Sequence, residues 1–322
     1  MKHSPIFTIG ITACSVMLLV ACSGAPNAGP TLPASQMSRV ALPHGLTLAG
    51  NATRFFSGPQ SRLMRSLRAM PAKRKVEKDF FVSTASSDVL IYSNKSYSEI
   101  GELTNDLSGT DGVWVDKKGD IYVANVSTNV VEFKKGGSSP ICTYTGATDP
   151  INVTTDAKGN VYVVDLLGGF VDEYAQCGNT IEKQFAAADA QGAAVDKSGD
   201  LFVSYGGSSL EEFKGGSTTG TPLSASVGES AGLIIDKKGN LIADDQAGDI
   251  LVIAPPYSSA TVLVSGLSDP FHCSLNEKEN LLFNANSGSG DVTVYSYPSG
   301  SLAQTVNTGA AEGVGESPNA VF

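Results

Sequence analysis

The 322-residue chain predicts an all-β fold, a six-bladed β-propeller, on three observations: a 40-residue repeat, a recurring turn and the way the strands count out. Asp116, Asp156, Asp196 and Asp236 stand 40 residues apart, and Asn276 falls on the next step. The first copy reads Val-Trp-Val-Asp116-Lys-Lys-Gly-Asp-Ile-Tyr-Val, the second Val-Thr-Thr-Asp156-Ala-Lys-Gly-Asn-Val-Tyr-Val. A fixed period of about 40 residues that holds several short strands is the signature of a propeller blade.

The N-terminus comes first in chain order. A short basic start, an apolar run over residues 6–20 and small residues before Cys22 predict a secretory signal over residues 1–21. The run is short for a membrane span, which needs about 20 residues. Leu19-Val-Ala-Cys22 resembles the lipobox of bacterial lipoproteins, which implies acylation of Cys22 and attachment to a membrane of the cell envelope through lipid chains. Residues 22–78 read as a basic tether, rich in Ala, Gly, Pro and Ser as far as residue 60. Within it Leu63, Met64, Leu67 and Met70 share one helical face, and Arg62, Arg65 and Arg68 another. That segment is a basic amphipathic helix on anionic lipid, a short helix packed against the rest of the protein, or an unstructured arm.

Residues 79–322 form the propeller. In blade two the strands are expected at 113–115, 121–124, 130–133 and 141–144; in blade three at 153–155, 161–164, 170–174 and 181–185. Each aspartate ends an inner strand, and a glycine follows three residues later at 119, 159, 199 and 239. This is hairpin chemistry: the carboxylate accepts turn amides and glycine supplies the positive φ. The aspartates are therefore turn caps and not a ring of metal ligands. The sixth turn, Asn276-Glu-Lys-Glu279-Asn, lacks the glycine and is expected to take another conformation. Strands at 80–83, 89–92 and 100–103 match the second to fourth strands of a blade, with no first strand before them. Ser317-Pro-Asn-Ala-Val-Phe322 matches Asp149-Pro-Ile-Asn-Val-Thr, so the C-terminus is expected to supply the missing inner strand of blade one. Closing the ring protects the sheet edges.

Charge divides the chain. Residues 23–78 carry nine basic side chains against Glu77 alone, whereas residues 79–322 carry twelve lysines, no arginine and 31 acidic residues. So acidic a body argues against nucleic acid as a partner, because phosphate binding needs clustered Lys and Arg. Of the cysteines, Cys142 is expected in the outer strand of blade two and Cys177 just past the third strand of blade three, and because outer edges of neighbouring blades can approach each other a disulfide between the two is expected. Cys273 lies on an inner strand and is expected to stay a buried free thiol. Tyr122, Tyr162 and Phe202 recur at one strand position, as packing between blades would require, and Trp114 stands on an inner strand where it can line the tunnel.

The Asp-x-x-Gly-(Asp/Asn)-x-Tyr-Val core resembles that of NHL-type and gluconolactonase-like six-bladed propellers, over residues 79–322. Lactonases of that group hold a divalent cation such as calcium in the central tunnel, on Glu, Asn and Asp at the starts of inner strands. The resemblance assigns Asp111 of Asp111-Gly-Val to the Asp-Gly start and Asn319 of Pro318-Asn-Ala to the Pro-Asn start, with Ala in place of Gly. Glu316 precedes Pro318 by two residues, and a clean Glu-Gly start is missing from this reading. A propeller lyase that opens streptogramin rings uses histidine, which draws attention to His272 with Asp269 at the mouth of blade six. No Gly-x-Ser-x-Gly, Walker A, dinucleotide or His-Glu-x-x-His motif occurs. The expectation is an envelope-anchored binding or scaffolding module without a cofactor, its partner a protein or a small molecule met through Asp111, Trp114, Asp269, His272 and Asn319. The alternative is a metal-dependent lactone hydrolase with Asp111 and Asn319 among its ligands.

Overall fold

The computed structural model describes residues 79–316 as 24 strands in six four-stranded antiparallel sheets. Cys22, residues 61–70 and Asn319 lie outside the described residues. Blade two runs from inner to outer edge as β4 (Thr110–Val115), β5 (Ile121–Asn125), β6 (Asn129–Phe133) and β7 (Pro140–Tyr144). Blade three follows as β8 (Pro150–Thr155), β9 (Val161–Asp165), β10 (Phe170–Tyr174) and β11 (Lys183–Ala186). Blade four has β12 (Ala190–Val195), β13 (Leu201–Tyr205), β14 (Ser209–Phe213) and the two-residue β15 (Thr221–Pro222). Blade five has β16 (Leu233–Ile235), β17 (Leu241–Asp245), β18 (Asp249–Ile253) and β19 (Thr261–Ser265). Blade six has β20 (Pro270–Leu275), β21 (Leu281–Asn286), β22 (Asp291–Ser296) and β23 (Ser301–Asn307).

Blade one joins the two ends of the described chain. Its order is β24 (Ala311–Glu316), β1 (Asp79–Thr84), β2 (Asp88–Ser93) and β3 (Glu99–Leu103). A C-terminal strand thus closes the ring, but it lies six residues earlier than expected: Ala311–Glu316 pairs with β1, with Phe80 opposite Glu316 and Val82 opposite Val314. The reason is local. Glu312-Gly313-Val314 repeats the Asp111-Gly112-Val113 start of β4, and Gly313 and Gly315 let β24 lie hard against that strand, where a Cβ would crowd Val113.

The core lies between blades. Six hydrophobic clusters occupy the six blade interfaces, and the last pairs Phe80, Val82 and Leu90 of blade one with Phe283, Val292 and Val294 of blade six. Second strands are therefore buried on both faces, and β5 and β9 read as continuous apolar runs instead of alternating ones. Outer strands alternate or are exposed, as in β7 and β23. Tyr122, Tyr162 and Phe202 sit in three different interfaces, each with an aromatic neighbour there: Tyr144, Phe185 and Tyr257.

The repeated aspartates cap the turns between first and second strands. Asp156 Oδ1 accepts the amides of Lys158, Gly159 and Asn160 at 2.8, 2.8 and 2.9 Å. Asp116, Asp196 and Asp236 each accept amides two and four residues on. The sixth turn corrects the expectation made for it. Glu279 adopts φ +51° and its amide reaches Asn276 O at 2.8 Å, the arrangement of Gly119 on Asp116, so the turn keeps its conformation without glycine. Glu279 also accepts the Lys237 amide at 2.8 Å, which ties the sixth turn to the fifth.

Candidate functional site

The six inner strands bring one residue each to the tunnel at matching register: Gly313, Gly112, Asn152, Gly192, Gly232 and His272 from blades one to six. Four glycines leave the backbones close together, and the two residues with side chains bridge the gap. His272 Nε2 lies 3.1 Å from Asp111 Oδ1, reaching from blade six to blade two past Gly313. Asn152 Nδ2 donates to Ala231 O at 2.7 Å, reaching from blade three to blade five past Gly192. A Cβ on Gly192 would stand 2.8 Å from that same carbonyl, so the bridge depends on the glycine.

One step further along the strands Trp114 completes the closure. Its indole packs both on the cluster between blades two and three and on that between blades five and six. Its Nε1 donates to Thr155 Oγ1 at 2.9 Å. With Trp114, Asn152, Ile234 and His272 in place, the central cavity has a volume of about 10 Å³, room for about one water. Among the described residues, the chain's own side chains thus fill this level of the tunnel.

Asp111 and Glu312 occupy equivalent positions in neighbouring inner strands, and Glu312-Gly313 is the Glu-Gly start that sequence reasoning missed. Ile151, Gln191, Ala231 and Phe271 fill the other four positions. This donor set fits a hard cation poorly, since calcium takes six to eight oxygens and half of these positions offer only apolar side chains. Nor, among the described residues, do three His, Cys, Asp or Glu ligand atoms converge at this mouth; the one such group lies at Glu132, Cys142 and Cys177. Asp269 serves its own turn, at φ +53°, where its carboxylate accepts the Ser287 hydroxyl at 2.7 Å. His272 therefore takes its carboxylate partner from blade two, and Asp269 is engaged elsewhere.

Beneath the tunnel wall lies a buried acid. Asp244 Oδ1 accepts the Gly232 amide at 3.0 Å, while Oδ2 is buried without a hydrogen-bond partner. Burial holds this carboxyl well above the usual carboxylate range, against the opposing pull of the backbone amides. The neighbouring Cys273 is a buried free thiol, also pushed up by burial and then by Asp244. Cys142 and Cys177 are joined by a disulfide, with Cα atoms 5.1 Å apart.

A second concavity lies outside the tunnel, between blades five and six. It measures about 460 Å³ and is lined by Pro255, Pro256, Val262, Leu263, Tyr297 and Pro298 among others. Val262 is half exposed, and Leu302 on β23 is 59 % exposed. Tyr297 is fixed by donating to Asp236 Oδ2 at 2.7 Å. The sequence marks this groove only through its prolines, at Pro255-Pro256 and Tyr297-Pro298, and nothing in the repeat brings those turns together.

No protein-family profile and no curated protein matches the chain. Solved structures do. A chain from the crystal structure of a nidogen/laminin complex superposes with a TM-score of 0.64 at 13% identity, covering 76% of this chain and all of that one. A streptogramin B lyase gives 0.55 at 11% identity over 76% of this chain and 85% of its own. The virginiamycin B lyase of Staphylococcus aureus gives 0.52 at 11% identity over 69% and 78%. At such identities the likeness is one of fold.

Proposed function

We propose that this chain is an exported, lipid-anchored propeller that binds a protein or small-molecule ligand through its outer surface, and that it is not an enzyme of the tunnel. The observation that carries this reading is the filled centre. Where a propeller hydrolase needs an open mouth with converging oxygens, Trp114, His272 and Asn152 occupy the space and satisfy one another or their neighbours. The groove between blades five and six is a concavity of ligand size. That one fold neighbour comes from a protein complex agrees with a protein partner. Leu19-Val-Ala-Cys22 supports the anchor, and with it a place in the bacterial envelope.

The test is site-specific photo-cross-linking in the expressing cell, from Thr261 or Val262 at the groove and from Thr143 on blade two as control. A discrete adduct from the groove positions alone supports the reading. Equal labelling from all three, or chelator-sensitive lactone hydrolysis by the purified protein, overturns it. Anchoring is read separately: Cys22→Ala should abolish palmitate incorporation and release the protein from membranes, and labelling that persists would contradict it.

A further inference from the structure

Glu132 is a carboxylate in an unusual place. It lies on β6, the third strand of blade two, and is completely buried, yet no lysine, arginine or histidine pairs with it among the described residues. Its partners are neutral: Tyr144 Oη donates to Oε2 at 2.6 Å and Gln176 Nε2 to Oε1 at 3.3 Å. Burying a carboxylate without a counter-charge is costly, and such groups are normally paired or bound to a metal. The disulfide is its other neighbour. Cys177 Sγ stands 3.9 Å from Glu132 Oε2, and ligand atoms of Glu132, Cys142 and Cys177 all lie within 4.8 Å of one another.

We propose that the dithiol form of this pair, together with Glu132, is a site for one thiophilic divalent cation of the zinc class, and that disulfide formation closes it. The ligand set is two thiolates and a carboxylate, with the fourth position left to water, because Cys177 is exposed and opens the site to solvent. Zinc–sulfur bonds of about 2.3 Å place two tetrahedral thiolates about 3.8 Å apart, so the sulfurs must separate from their bonded position. The elements that would move are the peripheral ones: Cys142 on the outer strand β7 and Cys177 in the turn after β10. Glu132 stays on its buried strand. Tyr144 then acts as an outer-shell support, since its hydroxyl both orients Glu132 and accepts the Cys177 amide at 3.1 Å. The chemistry balances. A phosphine reductant and water convert the disulfide to two thiols and the phosphine oxide; the cation then displaces both thiol protons to buffer while Glu132 binds as carboxylate.

Cobalt(II) is the probe, because thiolate ligation gives a near-ultraviolet charge-transfer band and tetrahedral geometry gives visible bands. The full chain is reduced with the phosphine, desalted under argon and titrated, beside an oxidised sample. One equivalent of cobalt bound only by the reduced chain, and displaced by zinc, is expected. Glu132→Gln should weaken binding by about tenfold or more, Tyr144→Phe should weaken it less, and Cys273→Ser should leave it unchanged. Should Glu132→Gln fail to fold, Cys142→Ser takes its place and should halve the charge-transfer intensity. The proposal is overturned if reduced protein binds no cobalt at stoichiometric concentrations. It is equally overturned if oxidised protein binds as tightly, if Glu132→Gln binds as the parent does, or if the signal follows Cys273.

Discussion

Asp156 and Asp244 are both acidic and both touch backbone amides, yet they contribute in opposite ways. Asp156 sits at a solvent-facing turn and holds three amides with one oxygen. Asp156→Ala should cost about 0.5–1.5 kcal/mol, the net worth of hydrogen bonds that water can partly replace at this turn, and Asp156→Asn should recover most of it. Urea unfolding of the three proteins checks this. Asp244 is buried, and its folded pKa is raised by desolvation. The folded state therefore keeps a proton that the unfolded chain releases near pH 4. The stability tied to that proton is complete below the unfolded pKa and is lost as pH rises toward the folded one. Asp244→Asn, which keeps the acceptor for Gly232 and needs no proton, should flatten this loss, giving a larger gain at pH 8 than at pH 4. Denaturant midpoints at the two pH values decide it, and an Asn variant that is less stable at both would contradict the assignment. The turn role of Asp156 is legible from the Asp-x-x-Gly spacing alone. The buried role of Asp244 is not, because Asp244-Asp245 reads as a polar strand end until Gly232 is folded over it.

At the scale of elements, the 40-residue period locates the blades and the pattern within each, because the repeated turn ties first to second strand in every copy. Strand starts are less legible. Inner strands β4 and β8 begin three residues earlier than their apolar runs, since Thr110-Asp111-Gly112 and Pro150-Ile151-Asn152 are placed by a bulge and not by hydrophobicity. The closing strand was hard to locate for the same reason. Ser317-Pro-Asn imitates the proline at the start of β8, whereas Ala311–Glu316 carries two glycines and little apolar surface. Yet one more step of 40 residues from Asn276 falls on 316, at the end of β24, so the signal was in the period itself. Truncation separates the two assignments. A chain ending at Glu316 should melt as the full chain does. One ending at Ala310 exposes the buried strand β1 along its length and should lose its cooperative transition and aggregate. Equal melting of both truncated chains would remove β24 from the ring.

At the scale of the whole molecule, the protein fills the centre of its own tunnel. The six residues that meet there are spread from Gly112 to Gly313, and only their register shows that four are glycine and two are polar bridges. His272 and Asp111 were visible as candidates, but their contact was not, because they lie 161 residues apart and the blade between them contributes only backbone. Trp114 offers the most direct test, being the only tryptophan in the chain. Its fluorescence reports on the tunnel alone. Acrylamide quenching of the native protein should be several-fold weaker than in denaturant, and should rise toward the denatured value in His272→Gly and Asn152→Gly variants that still fold. Quenching of the native protein as strong as that of the unfolded chain would mean an open tunnel, and would contradict the claim that binding belongs to the outer surface.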